Sequence, residues 1–359
     1  MTDFSIYAVI MAGGRGRRLW PLSTPSRPKQ FVEVNGKSLL ARTFDRISSL
    51  FDPKRVMVVT NKGKGNLVKE DLPELPEKNI IEEPMGKNTA PCIGLSAIYS
   101  REVLELDERN SVMVVLPADH LVGKEKRFRE LLQLASETAF NKEKLVTLGI
   151  RPTRPATGYG YIEAGDVLEE EELAREVVSF TEKPDSTTAE KFLAAGNYYW
   201  NSGTFIWRTD QLLGNLSEYM PELSEGLESI ARALGGPGVD EVLREEYEKF
   251  SPVSIDYGLM EKADERAVIP ASVDWSDLGD WPSFAQLLES DDHGNNSQGK
   301  IICEKSENNI VFNDTQKPVV VLGLSETVVV NTPEYLLVMN EDKAQEVKRI
   351  AREMEEKEG

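Results

Sequence analysis

Histidine is almost absent from this 359-residue chain, which holds only His120 and His293. A histidine-rich zinc site is therefore excluded, and imidazole-based general acid–base chemistry has little to draw on. Cysteine is equally scarce. Cys92 and Cys303 stand far apart with no C-x-x-C partner. That excludes a disulfide framework and implies free thiols in a reducing compartment. No apolar run approaches the roughly 20 residues that span a bilayer, so no membrane contact is expected. The opening segment MTDFSIYAVI lacks the basic n-region of a signal peptide, and a cytoplasmic protein is expected. A basic excess is also missing. With 61 acidic and 42 basic residues the net charge is −19, which argues against a duplex-binding surface and against a nucleic-acid partner. If a metal is used, its ligands should be carboxylates, which points to Mg²⁺. Local cation clusters can still bind an anionic small substrate.

Such a cluster follows the first apolar run. The segment IYAVIMAGGRGRRLWPLSTPSRPKQF occupies residues 6–31. Residues 6–11 have the continuous apolar character of a buried strand. The run breaks at Ala12, Gly13 and Gly14 into a loop carrying Arg15, Gly16, Arg17 and Arg18, with Arg27 and Lys29 further on. Glycines let a ligand approach the backbone closely, and exposed N–H groups with nearby cations suit a polyphosphate. A Walker A loop is excluded because Phe31 stands where the first glycine must be, five residues before Gly36-Lys37-Ser38. A dinucleotide fingerprint is excluded because Leu19 takes the place of its third glycine.

The first half alternates strand-like runs (residues 7–11, 56–60, 111–116 and 145–150) with helix-like segments (39–50, 89–106 and 128–141). This is an α/β, doubly wound pattern, with ligands expected outside the carboxyl ends of the strands, where Gly13 and Asp119 fall. The middle mixes strand-like pieces at 161–164, 177–182 and 204–207 with helices at 210–219 and 240–250. The polar stretch 291–298 marks a boundary, so the expected domains are 1–290 and 291–359. After it come short strands at 300–304, 309–312, 318–322, 328–331 and 335–339, then a charged helix at 341–356.

The loop has the form G-G-x-G-x-R-L-x-P-L-[ST] followed by P-K-Q, matched by Gly13, Gly14, Gly16, Arg18, Leu19, Pro21, Leu22, Ser23, Pro28 and Lys29. It resembles the sugar-phosphate nucleotidylyltransferases. Two further blocks, Glu83-Pro84-Met85-Gly86-Lys87-Asn88-Thr89-Ala90-Pro91 and Ser254-Ile255-Asp256-Tyr257-Gly258-Leu259-Met260-Glu261-Lys262, resemble the guanylyl, mannose-type branch of that family. The resemblance covers about residues 6–340.

The resemblance implies a Rossmann-like, glycosyltransferase-A-like nucleotidyltransferase built on a mixed, mostly parallel sheet. A small C-terminal domain would be β-rich and short β-helix-like. The implied reaction is GTP plus α-D-mannose 1-phosphate to GDP-mannose and pyrophosphate, with Mg²⁺. The nucleotide would be held by Ala12, Gly13, Gly14, Gly16, Arg18 and Lys29. Asp119, in Leu116-Pro117-Ala118-Asp119-His120, and Asp277, in Trp275-Ser276-Asp277-Leu278-Gly279, would be the metal ligands. Arg18, Lys29, Asp119 and Asp277 would be the catalytic set. Asp280 is the rival carboxylate, but its place before a helix-like segment fits a cap. Lys183 and Glu182, in Phe180-Thr181-Glu182-Lys183-Pro184, would take the sugar phosphate and a sugar hydroxyl. Gly158, in Thr157-Gly158-Tyr159-Gly160-Tyr161-Ile162, and Asn201, in Asn201-Ser202-Gly203, would line the sugar pocket, and Asp256 either touches the sugar or is structural. Asn88 and Thr89, with the backbone near Glu83, either meet the guanine edge or cap a helix. A homodimer is implied, with the β-rich tail used for packing or dimer contacts. No hexose-phosphate isomerase activity is implied, since no cupin-like domain is present. The surviving alternatives are the same chemistry with another hexose 1-phosphate or nucleotide, and a non-catalytic regulatory homologue. Arg17 is unassigned by the resemblance.

Overall fold

The protein is described by a computed structural model covering residues 4–14 and 16–358; the side chain of Glu358 lies outside the description. The chain forms two compact units. The first comprises Met1–Gly13, Phe44–Pro117 and Val122–Trp275; the second comprises Gly14–Thr43, Ala118–Leu121 and Ser276–Gly359.

The first unit is built on a nine-stranded sheet. Its strands are β1 (Ser5–Ala12), β2 (Val56–Asn61), β3 (Ile80–Glu83), β4 (Ser111–Pro117), β5 (Leu145–Ile150), β6 (Tyr161–Val167), β7 (Arg175–Thr181), β8 (Tyr198–Arg208) and β9 (Arg266–Ala271). The spatial order is β3-β2-β1-β4-β8-β5-β9-β7-β6, with β8 also pairing β6. β1 runs parallel to both neighbours, with Ile10 opposite Val58 and Leu116. Its residues Tyr7 to Ile10 are fully buried, as a parallel strand covered on both faces requires. β3, β2, β1 and β4 are parallel, whereas β8 inserts antiparallel between β4 and β5, so the sheet is mixed. The core joins Tyr7, Val9, Val115 and Trp207 to Ile93 and Leu95 of helix Thr89–Glu102.

Helices Ser186–Ala195 and Pro221–Ala233 and strand β9 are additions to the pattern expected from the sequence. β9 hides because its apolar run is short and carries Pro270, which speaks against a central strand. Asn201-Ser202-Gly203, expected ahead of a strand, lies within β8. The register with β5 shifts between Asn201 and Phe205, and Gly203 takes φ +71, so the segment is a bulge.

The second unit holds the loop after β1 and a coil of short strands. A five-stranded sheet contains Glu289–Ser290, Asn296–Gln298, Ile310–Asn313, Thr327–Asn331 and Leu336–Asn340, and a two-stranded sheet pairs Ile301–Glu304 with Val319–Leu322. Parallel rungs follow at a spacing of 14 residues, with Asn296 opposite Ile310, and then of 18, with Asn313 opposite Asn331. Asn331 Nδ2 donates to Asn313 Oδ1 at 2.9 Å, and Asn309 Nδ2 donates to Asn295 Oδ1 at 2.8 Å. This asparagine stacking is how the coil satisfies its inward polar groups. The core of the unit packs Leu19, Trp20 and Leu22 with Trp281, Phe284, Phe312, Val330, Val347 and Ala351. The apolar letters of the glycine-loop signature are therefore anchors in this core.

Candidate active site

In the second unit, short-range contacts fix the phosphate-type loop. Leu19 N–H donates to Gly16 O at 2.9 Å, and Ser23 Oγ donates to the same oxygen at 2.6 Å. Gly16 has φ +63, and a Cβ there would fall 2.3 Å from Lys29 Cβ. Only glycine fits, because the loop is pressed onto the turn Lys29–Phe31. That contact aims Lys29, whose side chain is 6% exposed. Its Nζ donates to Asp119 Oδ2 at 2.7 Å and to the backbone oxygen of Asp277 at 2.8 Å. One ammonium thus ties together three motifs that lie far apart in the sequence. Burial alone would raise the Asp119 pKa, but the charges of Lys29 and His120 outweigh it and hold the carboxyl below its usual range. Gly16, Arg17, Arg18, Lys29, Asp119, Asp277 and Lys348 are among the residues that line one cavity of about 380 Å³. Arg15 lies outside the described residues, and Gly14 is exposed.

Asp119 and Asp277 are the carboxylates of this cavity. No group of three or more His, Cys, Asp or Glu suited to a metal occurs among the described residues. That donor set fits Mg²⁺, which takes one or two carboxylates and fills its remaining positions with water and substrate phosphates. Asp280 is committed elsewhere. Its Oδ1 accepts from Ser283 N–H at 3.1 Å in a capping box for Trp281–Phe284, and its Oδ2 accepts from Gln345 at 2.7 Å.

In the first unit, a second group of predicted residues comes together. Asn201 Nδ2 donates to Asp256 Oδ1 at 2.7 Å, while Asn201 Oδ1 accepts from Gly203 N–H at 3.0 Å. Lys183 is paired with Glu182, whose side chain is 7% exposed. Lys183 is held at φ +49, an unfavourable conformation for a non-glycine residue and one that recurs at functional sites. Desolvation, reinforced by the Glu182 charge, pushes Asp256 up to about 6. Gly160 is the glycine of close approach here, since a Cβ on it would meet Glu182 Oε2 at 2.4 Å. Gly158 is exposed with nothing within 4 Å of its Cβ position. The Thr157–Ile162 motif signals both glycines, and only packing separates them.

Around the end of β1, Ala12 O accepts from Thr60 Oγ1 at 3.1 Å, and Gly13 O accepts from Asn61 Nδ2 at 2.8 Å. A Cβ on Gly13 would lie 3.5 Å from Glu83 Oε2. Glu83 is buried and its Oε1 accepts from Tyr247 Oη at 3.1 Å. Desolvation raises its pKa to about 7, against that hydrogen bond. Asn88 caps helix Thr89–Glu102, its Oδ1 accepting from Thr89 N–H at 2.9 Å. Thr89 Oγ1 accepts from Ile255 N–H at 2.9 Å, which joins the two blocks of guanylyl type. No sequence signal marks Tyr247 or Lys348, which lie outside every motif.

Comparison with known proteins gives the family. The Nucleotidyl transferase family matches residues 7–293, and the MannoseP isomerase/GMP-like beta-helix domain matches residues 299–354. The mannose-1-phosphate guanylyltransferase RfbM of Salmonella typhimurium is 38% identical over 353 residues, 96% of this chain and 72% of that protein. A mannose-1-phosphate guanylyltransferase of Escherichia coli is 36% identical over 362 residues, 99% of this chain and 74% of its own length. Among solved structures, a Thermus thermophilus protein named mannose-1-phosphate geranyltransferase superposes with a TM-score of 0.85 at 32% identity, covering 98% of this chain and 99% of that one. With two family matches in tandem and such relatives along nearly its whole length, this chain belongs to the nucleotidyl transferase family, in its mannose-1-phosphate guanylyltransferase branch.

Proposed function

We propose that the protein transfers the guanylyl group of GTP to α-D-mannose 1-phosphate, yielding GDP-mannose and pyrophosphate. The observation that carries this reading is Lys29, which bridges the Asp119 side chain and the Asp277 backbone beside the glycine loop. A phosphate oxygen of mannose 1-phosphate attacks the α-phosphorus of GTP. The bond from that phosphorus to the α–β bridging oxygen breaks, and pyrophosphate leaves with the electron pair. Both reactants are anions, so positioning and charge neutralisation supply the catalysis. Mg²⁺ held by Asp119 and Asp277 would neutralise triphosphate charge when bound. Arg18 and the N–H groups of Gly14 and Gly16 take phosphate oxygens, and Lys29 keeps the two aspartates in place. Lys183 takes the phosphate of the sugar substrate. Glu182, Asn201 and Asp256 meet its hydroxyls, and Gly158 approaches it through backbone.

For the base, the cap contact uses only the Asn88 oxygen. Its NH₂ makes no hydrogen bond among the described residues and is a donor suited to guanine O6. Adenine presents an amine there, so ATP would leave donors unmatched. Glu83 and Thr89 shape the same pocket.

Pyrophosphate release from a panel of nucleoside triphosphates against mannose, glucose and fucose 1-phosphates tests the assignment. GTP with mannose 1-phosphate should be fastest by at least ~100-fold over ATP; another preferred pair would replace the substrates named here. A boundary between domains near residue 290 is supported by the ends of the two family matches. A cytoplasmic location is supported by the free Cys92 and Cys303, and no helix among the described residues is long and apolar enough to cross a membrane. Homodimerisation is part of the same proposal, and light scattering on the purified chain checks it.

A further inference from the structure

The cavity around Lys29 has a lining residue that no sequence motif supplies. Lys348 comes from the C-terminal helix Val347–Glu358. The cations of this cavity differ in what they already hold. Lys29 is engaged by Asp119 and Asp277. Arg17 is clamped by Glu355, with Nε at 3.0 Å from Oε1 and a terminal nitrogen at 2.7 Å from Oε2. Arg18 and Lys348 make no ion pair with any described residue. Two uncompensated cations facing one cavity beside a glycine loop raise the local potential for a polyanion.

The position of Lys348 is built, not incidental. Val347 and Ala351 are buried in the core with Leu19 and Trp20, which sets the rotation of the helix. Lys348 and Glu355 are seven residues apart, two turns along the same stripe. Glu355 is held by Arg17 of the loop, and three residues before Lys348, Gln345 donates to Asp280 at 2.7 Å. The lysine therefore sits between two anchors. One is on the glycine loop, and the other is on the segment that carries Asp277.

We infer that Lys348 binds the β- and γ-phosphates of the nucleotide and the pyrophosphate they become, and that Glu355 and Gln345 are positioning residues that hold it there. This rests on the nucleotidyl-transfer reading above but goes beyond it. It makes the C-terminal helix part of the catalytic cavity and gives Arg17 a task, which is to fix that helix through Glu355. A lysine acting on the departing end of the triphosphate strengthens binding of GTP and pyrophosphate and leaves the sugar phosphate alone.

The test compares the full-length wild type with Lys348→Met, Lys348→Arg and Glu355→Gln. It uses KM values in both directions and calorimetric titration with magnesium pyrophosphate. Lys348→Met should raise the KM for GTP and for pyrophosphate about tenfold, the scale of one lost charge-assisted hydrogen bond. The KM for mannose 1-phosphate should stay within about twofold. Lys348→Arg should restore most of the loss, and Glu355→Gln should move the same two constants in the same direction by a smaller factor. Unchanged GTP and pyrophosphate constants in Lys348→Met, with a wild-type melting curve, overturn the inference, as does an equal rise for all three ligands. If the wild type turns over a different substrate pair, the substrate reading fails alone. The pyrophosphate titration of wild type against Lys348→Met still decides the role of the lysine.

Discussion

The cavity around Lys29 in the second unit and the residues proposed for sugar and base in the first use charge in opposite ways. Beside Lys29 the Asp119 carboxylate faces a cation and is held below its usual pKa range against burial. In the first unit the carboxylates are desolvated, with Asp256 pushed up to about 6 and Glu83 to about 7. A polyanion needs fixed positive charge and anions that stay ionised to carry metal. Neutral hydroxyls and a base edge need hydrogen-bonding oxygens without much net charge. The contrast teaches that one acidic chain, at −19 overall, sorts its carboxylates by environment, as the two proposed ligands require.

The largest expected effect falls on the ionised side. Asp119→Asn or Asp277→Asn keeps shape and removes charge, and kcat for pyrophosphate release should fall at least ~100-fold. Near-normal turnover in a folded variant would take that residue out of the metal site.

The desolvated side should answer in stability before activity. Glu83 titrates near 4.5 when unfolded and about 7 when folded. Between those values the folded state holds more protons, so the group's contribution to stability falls as pH rises through that window. Glu83→Gln removes this penalty. At pH 8 it should be more stable than wild type by up to about 3 kcal/mol, a difference that vanishes below pH 4. Urea denaturation across pH measures it, and a difference independent of pH would contradict the assignment.

A smaller effect divides the two proposed phosphate binders. Lys183→Ala should raise the KM for mannose 1-phosphate about tenfold, whereas Arg18→Ala should raise that for GTP by a similar factor. Calorimetry with each ligand reads the split, and the reverse pattern would exchange the two roles.

The subtlest prediction separates cap from base reader. Asn88→Asp keeps an oxygen for Thr89 N–H but loses the donor, so the melting temperature should hold while the GTP/ATP gap narrows. Asn88→Ala should also cost about 1 kcal/mol of stability. An unchanged gap in Asn88→Asp would leave base choice to the backbone.

Much of the fold and of the candidate site is legible because its residues sit in short linear motifs, several of them at strand ends. β5 occupies the residues 145–150 expected of it, and Asp119 follows β4 as anticipated. The helix of the last segment starts as a 3₁₀ stretch, Glu341–Glu346, and is α-helical only from Val347. What stays hidden is set by packing. Gly160 and Gly158 are two letters apart in one motif, and what distinguishes them is packing against Glu182, Asn201 and Phe180. The 18-residue rungs leave little trace in the sequence because few rungs repeat and their asparagines are sparse. Lys348 is one lysine on a charged helix, and nothing local marks which side of that helix meets the cavity.

The packing of Leu19, Trp20 and Leu22 against Phe312, Val330, Val347 and Ala351 has a consequence in time. Along the chain, the glycine loop precedes by about three hundred residues the strands and helix that complete the core seating it. Until that late segment has emerged, the loop's apolar anchors have only nearby residues such as Val32 and Val34 to bury against, and most of the core that seats the loop is missing. Full seating of the loop is thus expected only after the nine-stranded sheet has been made, because the order of synthesis places part of its core last.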